Sequence, residues 1–548
     1  MGHPALRDLV TTAERAARYS DNGWWTTVTL IDRLEHHAQR RPDGLAIVDP
    51  SGEYSYASLA ADTAAVAGGL QRRGVGVGDV VSVQLPNRYE TVVAGLAALW
   101  VGAVVNPLLP NYRSRELTHV FRAARPAAVF TPDHYRGCDH RQLTVESLAG
   151  AEHSAIHVVV GTVQDASSTV SFDDLRGAGP VAPAAVDAGA VSELIFTSGT
   201  EAQPKAIMHT EQTANFSVRV AYDDLGLGAG DVVWMPSPIG HSTGFNYGVR
   251  FAIYHGLPLV LQDRWDGDAA VDLVTRYRCS YTLAATTFLQ DMIDAAERHG
   301  ADLSSLQFFG CGGAPVPPPL VDRAAQAGIR VLRLYGSTEV LVGTWNRPIS
   351  TTEQRRSTDG LAMSHVDIVV RDESGNEAGV GQPGELFTRG PNTCVGFFDD
   401  PQRTAATFDA DGFVASGDLV TMDAEGYVTV VGRKKEIIIR GGVNITPREI
   451  EDLIMDFPEV SRVAVIGLPD ERLGERMCAC VVLTPGGSLD LETLVSRLRA
   501  AGLATYKLPQ RLEILTELPS TASGKIQKHE LRGWLGNAAL SEAPTAQP

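Results

Sequence analysis

The sequence predicts an α/β protein with parallel strands, because apolar strand-like runs alternate with helical patterns. In the first such stretch, a strand at Val80–Val83 is followed by a helix at Glu90–Val101 and a strand at Ala103–Val105. A second stretch has strands at Val232–Met235 and Leu259–Leu261, followed by a helical pattern. Parallel neighbours need a crossover connection, usually a helix, so each stretch is expected to form a layered subdomain.

Two further regions complete the predicted architecture. Strands dominate from Val366 to Val431, and a smaller βαβ-like unit follows around a helix at Arg448–Met455. The predicted fold class is therefore a large N-terminal domain of two α/β layered subdomains plus a β-rich subdomain, followed by a small α+β C-terminal domain. We place the boundary at a charged turn, between residues 1–432 and residues 433–548.

The composition excludes several classes of protein. The chain has 548 residues, of which 44% are hydrophobic, so it can bury the cores of two or three domains. Its 47 basic and 65 acidic residues give a net charge of −18, which opposes nonspecific binding to nucleic acid or to an anionic membrane. We expect no nucleic-acid partner, and an anionic substrate must be met by a local cluster of positive charge.

The cysteine and hydropathy patterns indicate a cytoplasmic location. The six cysteines show no CxxC spacing, which fits free thiols in a reducing compartment. The longest uncharged run, Thr91–Val105, falls short of the ~20 residues that span a bilayer. The N-terminus mixes Asp8 and Glu14 with arginines and has no apolar signal core. We expect neither export nor a stable membrane anchor.

The segment Phe196–Lys205 has the composition of a phosphate-binding loop. It combines small hydroxyl residues, a glycine and Lys205 directly after the apolar run Leu194–Phe196. Turn amides and hydroxyls supply a concave set of donors, and the lysine adds a positive charge. The segment differs from the GxxxxGK[ST] loop of common nucleotide hydrolases, so their mechanism does not transfer. A turn of this composition is also frequent as a plain surface connection.

Five ordered motifs resemble the adenylate-forming superfamily, and within it the acyl-CoA synthetase branch. The motifs are Phe196–Lys205, Tyr335–Glu339, Ser416–Leu419, Gly432–Glu436 with Gly441–Ile445, and Pro519–Lys525. The N-terminal third resembles the family more diffusely. The resemblance implies an enzyme that transfers AMP from ATP to a carboxylate, releases pyrophosphate, and then passes the acyl group to a thiol. ATP, Mg²⁺ and coenzyme A are the implied cofactors.

The resemblance implies roles for residues at the nucleotide. Lys525 would be the catalytic cation that bridges the carboxylate and the α-phosphate, and Glu339 would be a catalytic residue and the Mg²⁺ ligand. Tyr335 offers a ring for adenine, and Asp418 offers acceptors for the ribose hydroxyls. The implied nucleotide-binding residues are Thr197, Ser198, Gly199, Thr200, Lys205, Gly313, Ala314, Pro315, Tyr335, Gly336, Ser337, Thr338, Asp418 and Arg433. Without the motif match, each would be an ordinary turn or surface residue.

The C-terminal motifs imply a second half-reaction. Gly441 and Gly442 would be coenzyme A-binding residues, in the segment that lies along the pantetheine arm. Lys435 would be the hinge of a mobile C-terminal domain, so that one domain serves both half-reactions in turn. Thr338 and His241 complete the implied catalytic set. A lone histidine is more often structural than catalytic, and His241 is included because its position resembles an aromatic or histidine gate beside the acyl pocket.

The acyl pocket is implied to include His241, Phe245, Gly312 and Gly336. Amino-acid-activating relatives carry an aspartate near this pocket, whereas the segment Trp234–Phe245 has no acidic residue, which favours an uncharged acyl group. Acetate-type relatives have a tryptophan where this chain has Gly336, so a larger acyl chain or ring is expected. Medium-chain, alicyclic, aryl and polycyclic acids all stay open as substrates of the expected acyl-CoA ligase.

The phosphate loop departs from the family pattern at Glu201, Ala202 and Ala206, where Thr, Gly and Gly are usual. A carboxylate ~6 Å from one phosphate charge would cost on the order of 3 kcal/mol at an effective dielectric constant of ~20. An inward Glu201 would then slow adenylation roughly a hundredfold. The main alternative is therefore an enzyme that only thioesterifies a preformed acyl-adenylate, supplied by a separate adenylating enzyme.

Two other classes stay open. One is an acyl-adenylate ligase that loads a carrier protein instead of coenzyme A, and the other is a nonenzymatic nucleotide-binding protein. The retained Lys525 disfavours the nonenzymatic class. The expected partners are a small carboxylic acid and coenzyme A, and a homodimer is a further candidate assembly.

Overall fold

The computed structural model describes residues 6–163, 169–197, 204–313, 316–440, 443–470, 472–521 and 526–539. The chain divides into two units. The first unit comprises Met1–Ile368 and Thr388–Ala415, and the second comprises Val369–Phe387 and Ser416–Pro548. The boundary predicted between residues 432 and 433 concerns a moving domain and stays a prediction.

The first unit contains two large sheets. Its strands are β1 Leu45–Asp49, β2 Gly52–Ser55, β3 Val80–Val83, β4 Val104–Pro107, β5 Ala128–Pro132, β6 His134–Tyr135, β7 Cys138–Asp139, β8 Ile156–Val160, β9 Val170–Ser171, β10 Val191–Thr197, β11 Lys205–Thr210, β12 Val233–Met235, β13 Leu259–Leu261, β14 Tyr281–Ala284, β15 Phe308–Gly312, β16 Arg330–Ser337, β17 Leu341–Trp345 and β18 Leu361–Ala362. One sheet has the order β18-β17-β16-β15-β14-β12-β13-β1-β2 and the other β11-β10-β4-β3-β5-β8-β9. The pairs β3–β4, β3–β5, β14–β15 and β15–β16 are parallel, as the alternating sequence pattern predicts.

Helices cover both sheets of the first unit. They are α1 Ala13–Asp21, α2 Leu30–Arg40, α3 Tyr56–Gln71, α4 Tyr89–Trp100, α5 Ser114–Ala124, α6 His140–Gly150, α7 Phe172–Arg176, α8 Glu211–Leu225, α9 Ser242–Gly244, α10 Phe251–His255, α11 Gly267–Tyr277, α12 Thr286–His299, α13 Pro318–Gln326, α14 Thr352–Ser357 and α15 Pro401–Thr407. A π-helix at Phe245–Arg250 joins α9 to α10. Almost every residue of α4 is buried, which explains its uncharged sequence. In the described part of the chain, no helix is long and apolar enough to cross a membrane.

The second unit is built from two smaller sheets. Its elements are β19 Asp367–Arg371, β20 Gly384–Arg389, β21 Val414–Met422, β22 Val428–Arg433, β23 Ile438–Arg440, β24 Val443–Ile445, α16 Pro447–Met455, β25 Val460–Asp470, β26 Gly474–Leu483, α17 Leu491–Ala500, β27 Arg511–Ile514 and α18 Lys528–Ala539. One sheet has the order β19-β20-β21-β22, and the other has the order β24-β23-β26-β25 with β27 beside β26.

The strand β25 contributes to both core clusters of this second unit, one on each of its faces. Val463 and Val465 face a cluster that α16 and α17 complete, whereas Ala464 and Ile466 face a cluster that includes Leu531 of α18. A strand that is buried on both faces has a continuous apolar sequence, as β25 does. The prediction of a βαβ-like unit is wrong in one respect. β25 and β26 pair antiparallel and form a hairpin that helices cover.

Candidate active site

The flanks of the predicted phosphate loop are two antiparallel strands. β10 ends at Thr197 and β11 begins at Lys205, and these two residues are paired across the ladder. The Oγ1 atom of Thr197 is buried and has no hydrogen-bond partner among the described residues. Buried hydroxyls are normally satisfied, so this atom is a suitable donor to a bound phosphate. The predicted loop residues Ser198, Gly199 and Thr200, with Glu201 and Ala202, lie outside the described residues.

An ion pair joins this loop to the second sequence motif. Lys205 Nζ lies 2.5 Å from Glu339 Oε1, and the two side chains are 29% and 12% exposed. Lys205 Nζ also lies 5.4 Å from the centre of the Phe397 ring. Burial raises the pKa of Glu339, but the charge and hydrogen bond of Lys205, with a hydrogen bond from Ser337, outweigh it and lower the pKa. Glu339 is therefore an ionised carboxylate beside the only loop cation described.

The turn that carries Glu339 is fixed through its carbonyl groups. His209 Nε2 donates to the Thr338 carbonyl over 2.7 Å, and the Cys394 N–H donates to the Glu339 carbonyl over 2.7 Å. Asn392 Nδ2 donates to the carbonyls of Val340 and Val342, at 2.6 and 2.9 Å. Burial lowers the pKa of His209, so its ring is neutral and carries its proton on Nε2.

The predicted glycine and tyrosine residues lie at the carboxyl ends of two neighbouring parallel strands. Gly312 ends β15, and Gly313 follows it with a positive φ of 78°. Tyr335, Gly336 and Ser337 end β16. Ligands of α/β proteins commonly bind outside these ends of parallel strands.

Gly336 is needed because two strands approach closely. A Cβ atom there would lie 2.1 Å from the Leu341 carbonyl oxygen of β17, and one at Gly312 would lie 2.5 Å from the Leu334 carbonyl oxygen. A side chain at Gly336 would therefore displace β17 and the Glu339 turn. In this chain, the approach of β17 therefore limits position 336 as much as pocket volume does.

The segment after β12 holds the other predicted acyl-pocket residues. His241 precedes α9, and its Nδ1 accepts a hydrogen bond from the Thr243 N–H over 3.2 Å. Phe245 begins the π-helix and is 1% exposed, with its ring packed beside Gly95 of α4. A π-turn inside a helix is rare and is often found at a functional site.

A buried charge network lies at the other end of this π-helix, and none of its residues belongs to a sequence motif. Arg250 is fully buried and pairs with Glu193 of β10 and with Glu211 of α8, the latter at 2.9 Å. Asn215 and Asn246 accept further hydrogen bonds from its guanidinium at 2.6 and 3.0 Å. Burial lowers the pKa of Arg250, but the two carboxylates outweigh it and raise the pKa. The network joins β10, which leads into the phosphate loop, to the π-helix.

In the second unit, two predicted nucleotide-binding residues lie side by side. Asp418 of β21 is paired with Arg433 of β22 in the ladder, and Arg433 Nε lies 2.8 Å from Asp418 Oδ1. Asp418 is 7% exposed in its side chain, whereas Arg433 is 37% exposed. Lys435 lies in a short 3₁₀ helix, Lys434–Glu436. The predicted residues Ala314, Pro315, Gly441, Gly442 and Lys525 lie outside the described residues.

Comparison with known proteins identifies the family. Residues 34–398 match the profile of the family described as AMP-binding enzyme, and residues 449–525 match that of the AMP-binding enzyme C-terminal domain. The chain belongs to the AMP-binding enzyme family. This family forms the adenylate-forming superfamily of AMP-forming ligases that the sequence motifs resemble.

Individual relatives of this AMP-binding enzyme cover nearly the whole chain. It is 37% identical to the medium-chain fatty-acid–CoA ligase of Escherichia coli strain K12, over 96% of this chain and 93% of the relative. It is 34% identical to the 2-hydroxy-7-methoxy-5-methyl-1-naphthoate–CoA ligase of Streptomyces carzinostaticus, over 95% and 96%. The ATP-bound structure of MatB from Rhodopseudomonas palustris superposes with a TM-score of 0.84 at 28% identity, over 94% of this chain and all of that chain.

Some residues that support the candidate site of this AMP-binding enzyme were not predicted from the sequence. His209 and Asn392 hold the Glu339 turn but occupy no motif, and nothing in their local sequence distinguishes them. Glu193 did leave a signal, because it is a charged residue inside an apolar strand, and such residues are rarely buried without a partner.

Proposed function

We propose that this enzyme is an acyl-CoA ligase that acts on an apolar, medium-to-large carboxylic acid. It would transfer AMP from ATP to the carboxylate with release of pyrophosphate, and then transfer the acyl group to the thiol of coenzyme A with release of AMP. The observation that carries the proposal is the Lys205–Glu339 ion pair, which joins the phosphate-loop strand to the second motif in a chain with both family domains.

The first half-reaction meets a charge obstacle, since a carboxylate must approach a triphosphate. Positioned cations supply most of the catalysis in such a step. Lys205 would contact the phosphates at the end of the loop, and Lys525 would bridge the carboxylate and the α-phosphate. His209 would contribute by fixing the carbonyl of Thr338, which keeps the turn in place.

Glu339 fits the role of a Mg²⁺ ligand, because it is an ionised oxygen donor next to a phosphate-binding cation. Mg²⁺ is commonly held by one or two carboxylates together with substrate phosphates and water. Among the described residues, no group of three or more His, Cys, Asp or Glu is arranged to hold a metal ion by itself. Held there, Mg²⁺ would neutralise charge on the phosphates of ATP, and without nucleotide the Glu339 carboxylate would pair with Lys205 instead.

The substrate is proposed from the pocket and from the relatives together. The segment that leads into the π-helix has no acidic side chain, and Phe245 is buried in the hydrophobic core of the first unit. One relative is a ligase for medium-chain fatty acids and another for a substituted naphthoate. We place medium-chain fatty acids first and aryl acids second.

A panel of acids tests this assignment. Purified enzyme is incubated with ATP, Mg²⁺, coenzyme A and each of acetate, octanoate, palmitate, benzoate, a naphthoate and alanine, and kcat/KM is compared. We expect octanoate to exceed acetate and alanine by at least a hundredfold. Preference for acetate or alanine contradicts the proposed pocket, whereas preference for the naphthoate moves the substrate to the aryl class.

The second candidate function is thioesterification alone, and Glu201 with Ala202 is the observation that favours it. Synthetic octanoyl-adenylate with coenzyme A, in the absence of ATP, tests the second half-reaction by itself. Product from the adenylate but none from ATP and acid would establish this second function. Recovery of ATP use by the variant Glu201→Thr with Ala202→Gly would then assign the cause to the loop. A phosphopantetheinylated carrier protein in place of coenzyme A tests the choice of thiol.

A further inference from the structure

A buried lysine lies close in sequence to the proposed catalytic lysine. Lys528 is the first residue of α18, and its Nζ lies 2.7 Å from Glu451 Oε1 and 3.0 Å from Glu436 Oε2. The three side chains are only 9% to 18% exposed. Lys525 lies three residues earlier in the chain, so the two Cα atoms are at most ~11 Å apart.

The two carboxylates belong to segments of different kinds. Glu451 lies in the middle of α16, and its Oε1 also accepts the Val465 N–H of β25 over 2.6 Å. Glu451 is thereby fixed to the core of the second unit. Glu436 follows Lys435, the predicted hinge residue, in the 3₁₀ helix Lys434–Glu436. Lys528 therefore connects the start of α18 to a rigid helix and to the hinge segment.

The segment on either side of Lys525 is closed at its base. The Gln527 N–H donates to the Pro519 carbonyl over 2.7 Å, and Ser520 and Ile526 form an antiparallel bridge. Arg462 of β25 donates to Ser520 Oγ over 2.9 Å. Arg462 thus holds the Ser520 end of this closed segment. At the Gln527 end, the next residue along the chain is Lys528, with its buried ion pairs.

The charges make this contact specific. Burial lowers the pKa of Lys528, but Glu451 and Glu436 outweigh it and raise the pKa, so the ammonium stays charged. Loss of the ammonium would leave two carboxylates close together with little water, and like charges at that separation repel strongly. The start of α18 would then shift away from α16.

We propose that Lys528 is a positioning residue that holds the segment carrying Lys525 in place for adenylation and ties it to the hinge segment through Glu436. The proposal rests on the proposed function for the role of Lys525. Lys528 itself touches no reacting atom. It fixes the C-terminal end of the segment, so its loss would affect the half-reaction that uses Lys525 and spare the one that does not.

Two measurements on the full-length enzyme test this role. The first is amide hydrogen exchange of the peptide 519–527 in the wild type, in Lys528→Met and in Lys528→Arg. The second compares ATP–pyrophosphate exchange with octanoate against octanoyl-CoA formation from supplied octanoyl-adenylate. The control is Arg497→Met, which breaks a 2.5 Å ion pair with Glu459 in the same unit but away from this segment. If the single variant does not fold, the double variant Lys528→Met with Glu451→Gln removes one of the two carboxylates that would otherwise be left to repel each other.

In Lys528→Met we expect the peptide 519–527 to exchange at least tenfold faster than in the wild type, and the adenylation rate to fall 10- to 100-fold, with thioester formation changed less than threefold. Lys528→Arg should recover most of the adenylation, and Arg497→Met should match the wild type in both measurements. Unchanged exchange in Lys528→Met, or equal loss of both half-reactions, would overturn the proposal. A wild type without adenylation on any acid would refute the proposed function instead, and hydrogen exchange would still decide the role of Lys528.

Discussion

The Lys205–Glu339 pair allows a quantitative prediction about stability. Its Nζ and Oε1 atoms are 2.5 Å apart. With charge centres ~4 Å apart and an effective dielectric constant of ~20, the attraction is about 4 kcal/mol. Lys205 is 29% exposed, so solvent screening reduces the expected coupling to about 2 to 3 kcal/mol. Lys205→Met should therefore lower the free energy of unfolding of the wild type more than it lowers that of Glu339→Gln, and the difference should be about this coupling.

Urea unfolding followed by tryptophan fluorescence measures this coupling. Six of the seven tryptophans belong to the first unit, so the signal reports mainly on the unit that holds the pair. The four proteins of the cycle are compared at pH 7.5, with Arg323→Met and Asp294→Asn as a matched cycle. That control pair is 2.7 Å apart but 32% and 43% exposed, so its coupling should stay below about 1 kcal/mol.

The pH dependence gives a second check on the same pair. The pKa of Glu339 is lowered in the folded state, so its contribution is present above the unfolded value of ~4.3 and is lost as the pH falls through the folded pKa. In Lys205→Met the hydrogen bond from Ser337 still lowers the pKa of the carboxylate, but burial, the largest single effect, raises it and is no longer opposed by the lysine. The penalty of this variant should therefore be largest at neutral pH and shrink towards pH 5. A coupling below about 0.5 kcal/mol at pH 7.5, with no change in the penalty, would refute the reasoning.

Three other variants have defined outcomes. Arg250→Met leaves two buried carboxylates unpaired and should lower the free energy of unfolding by about 3 to 5 kcal/mol. Arg250→Lys should not restore this stability, because Nε and both terminal nitrogens of Arg250 are hydrogen-bonded. A melting temperature of Arg250→Met within 2 °C of the wild type would contradict this. The folded pKa of His209 is lowered, so below pH ~6.5 the unfolded state binds more protons and the wild type loses stability. His209→Gln lacks this contribution and should lose less stability over the same pH range. Identical stability profiles of the two proteins from pH 5 to 7.5 would show that His209 does not titrate in this way. Gly336→Ala should destabilise the enzyme by about 1 to 3 kcal/mol and reduce ATP–pyrophosphate exchange at least tenfold, because its Cβ meets the Leu341 carbonyl; unchanged exchange would show that the turn tolerates the shift.

The sequence predicted the layered elements well because their patterns are local. Val80–Val83 and Leu259–Leu261 are strands at the predicted bounds, and the helix predicted at Glu90–Val101 spans Tyr89–Trp100. Periodicity and apolar runs report directly on burial, so such elements need no long-range information. β25 ends at Asp470 and β26 begins at Gly474, and so short a connection requires antiparallel pairing, but the apolar pattern alone did not give these strand ends.

The motifs predicted which residues meet, but not what holds them. Lys205 and Glu339 were both expected at the phosphates, and they lie in contact although 134 positions separate them. The supports of that contact, His209, Asn392 and the Arg250 network, come from other elements and are defined only by packing. A buried polar side chain can be expected from a charge inside an apolar strand, as at Glu193, but its partner cannot.

One measurement tests the central claim most directly. Purified enzyme is supplied with octanoate, ATP, Mg²⁺ and coenzyme A, and octanoyl-CoA, AMP and pyrophosphate are quantified together, with Lys525→Ala run in parallel. The proposed function predicts equal amounts of all three products and at least a hundredfold lower yield from Lys525→Ala. Formation of octanoyl-CoA only when octanoyl-adenylate replaces octanoate and ATP would contradict the claim that one chain catalyses both half-reactions.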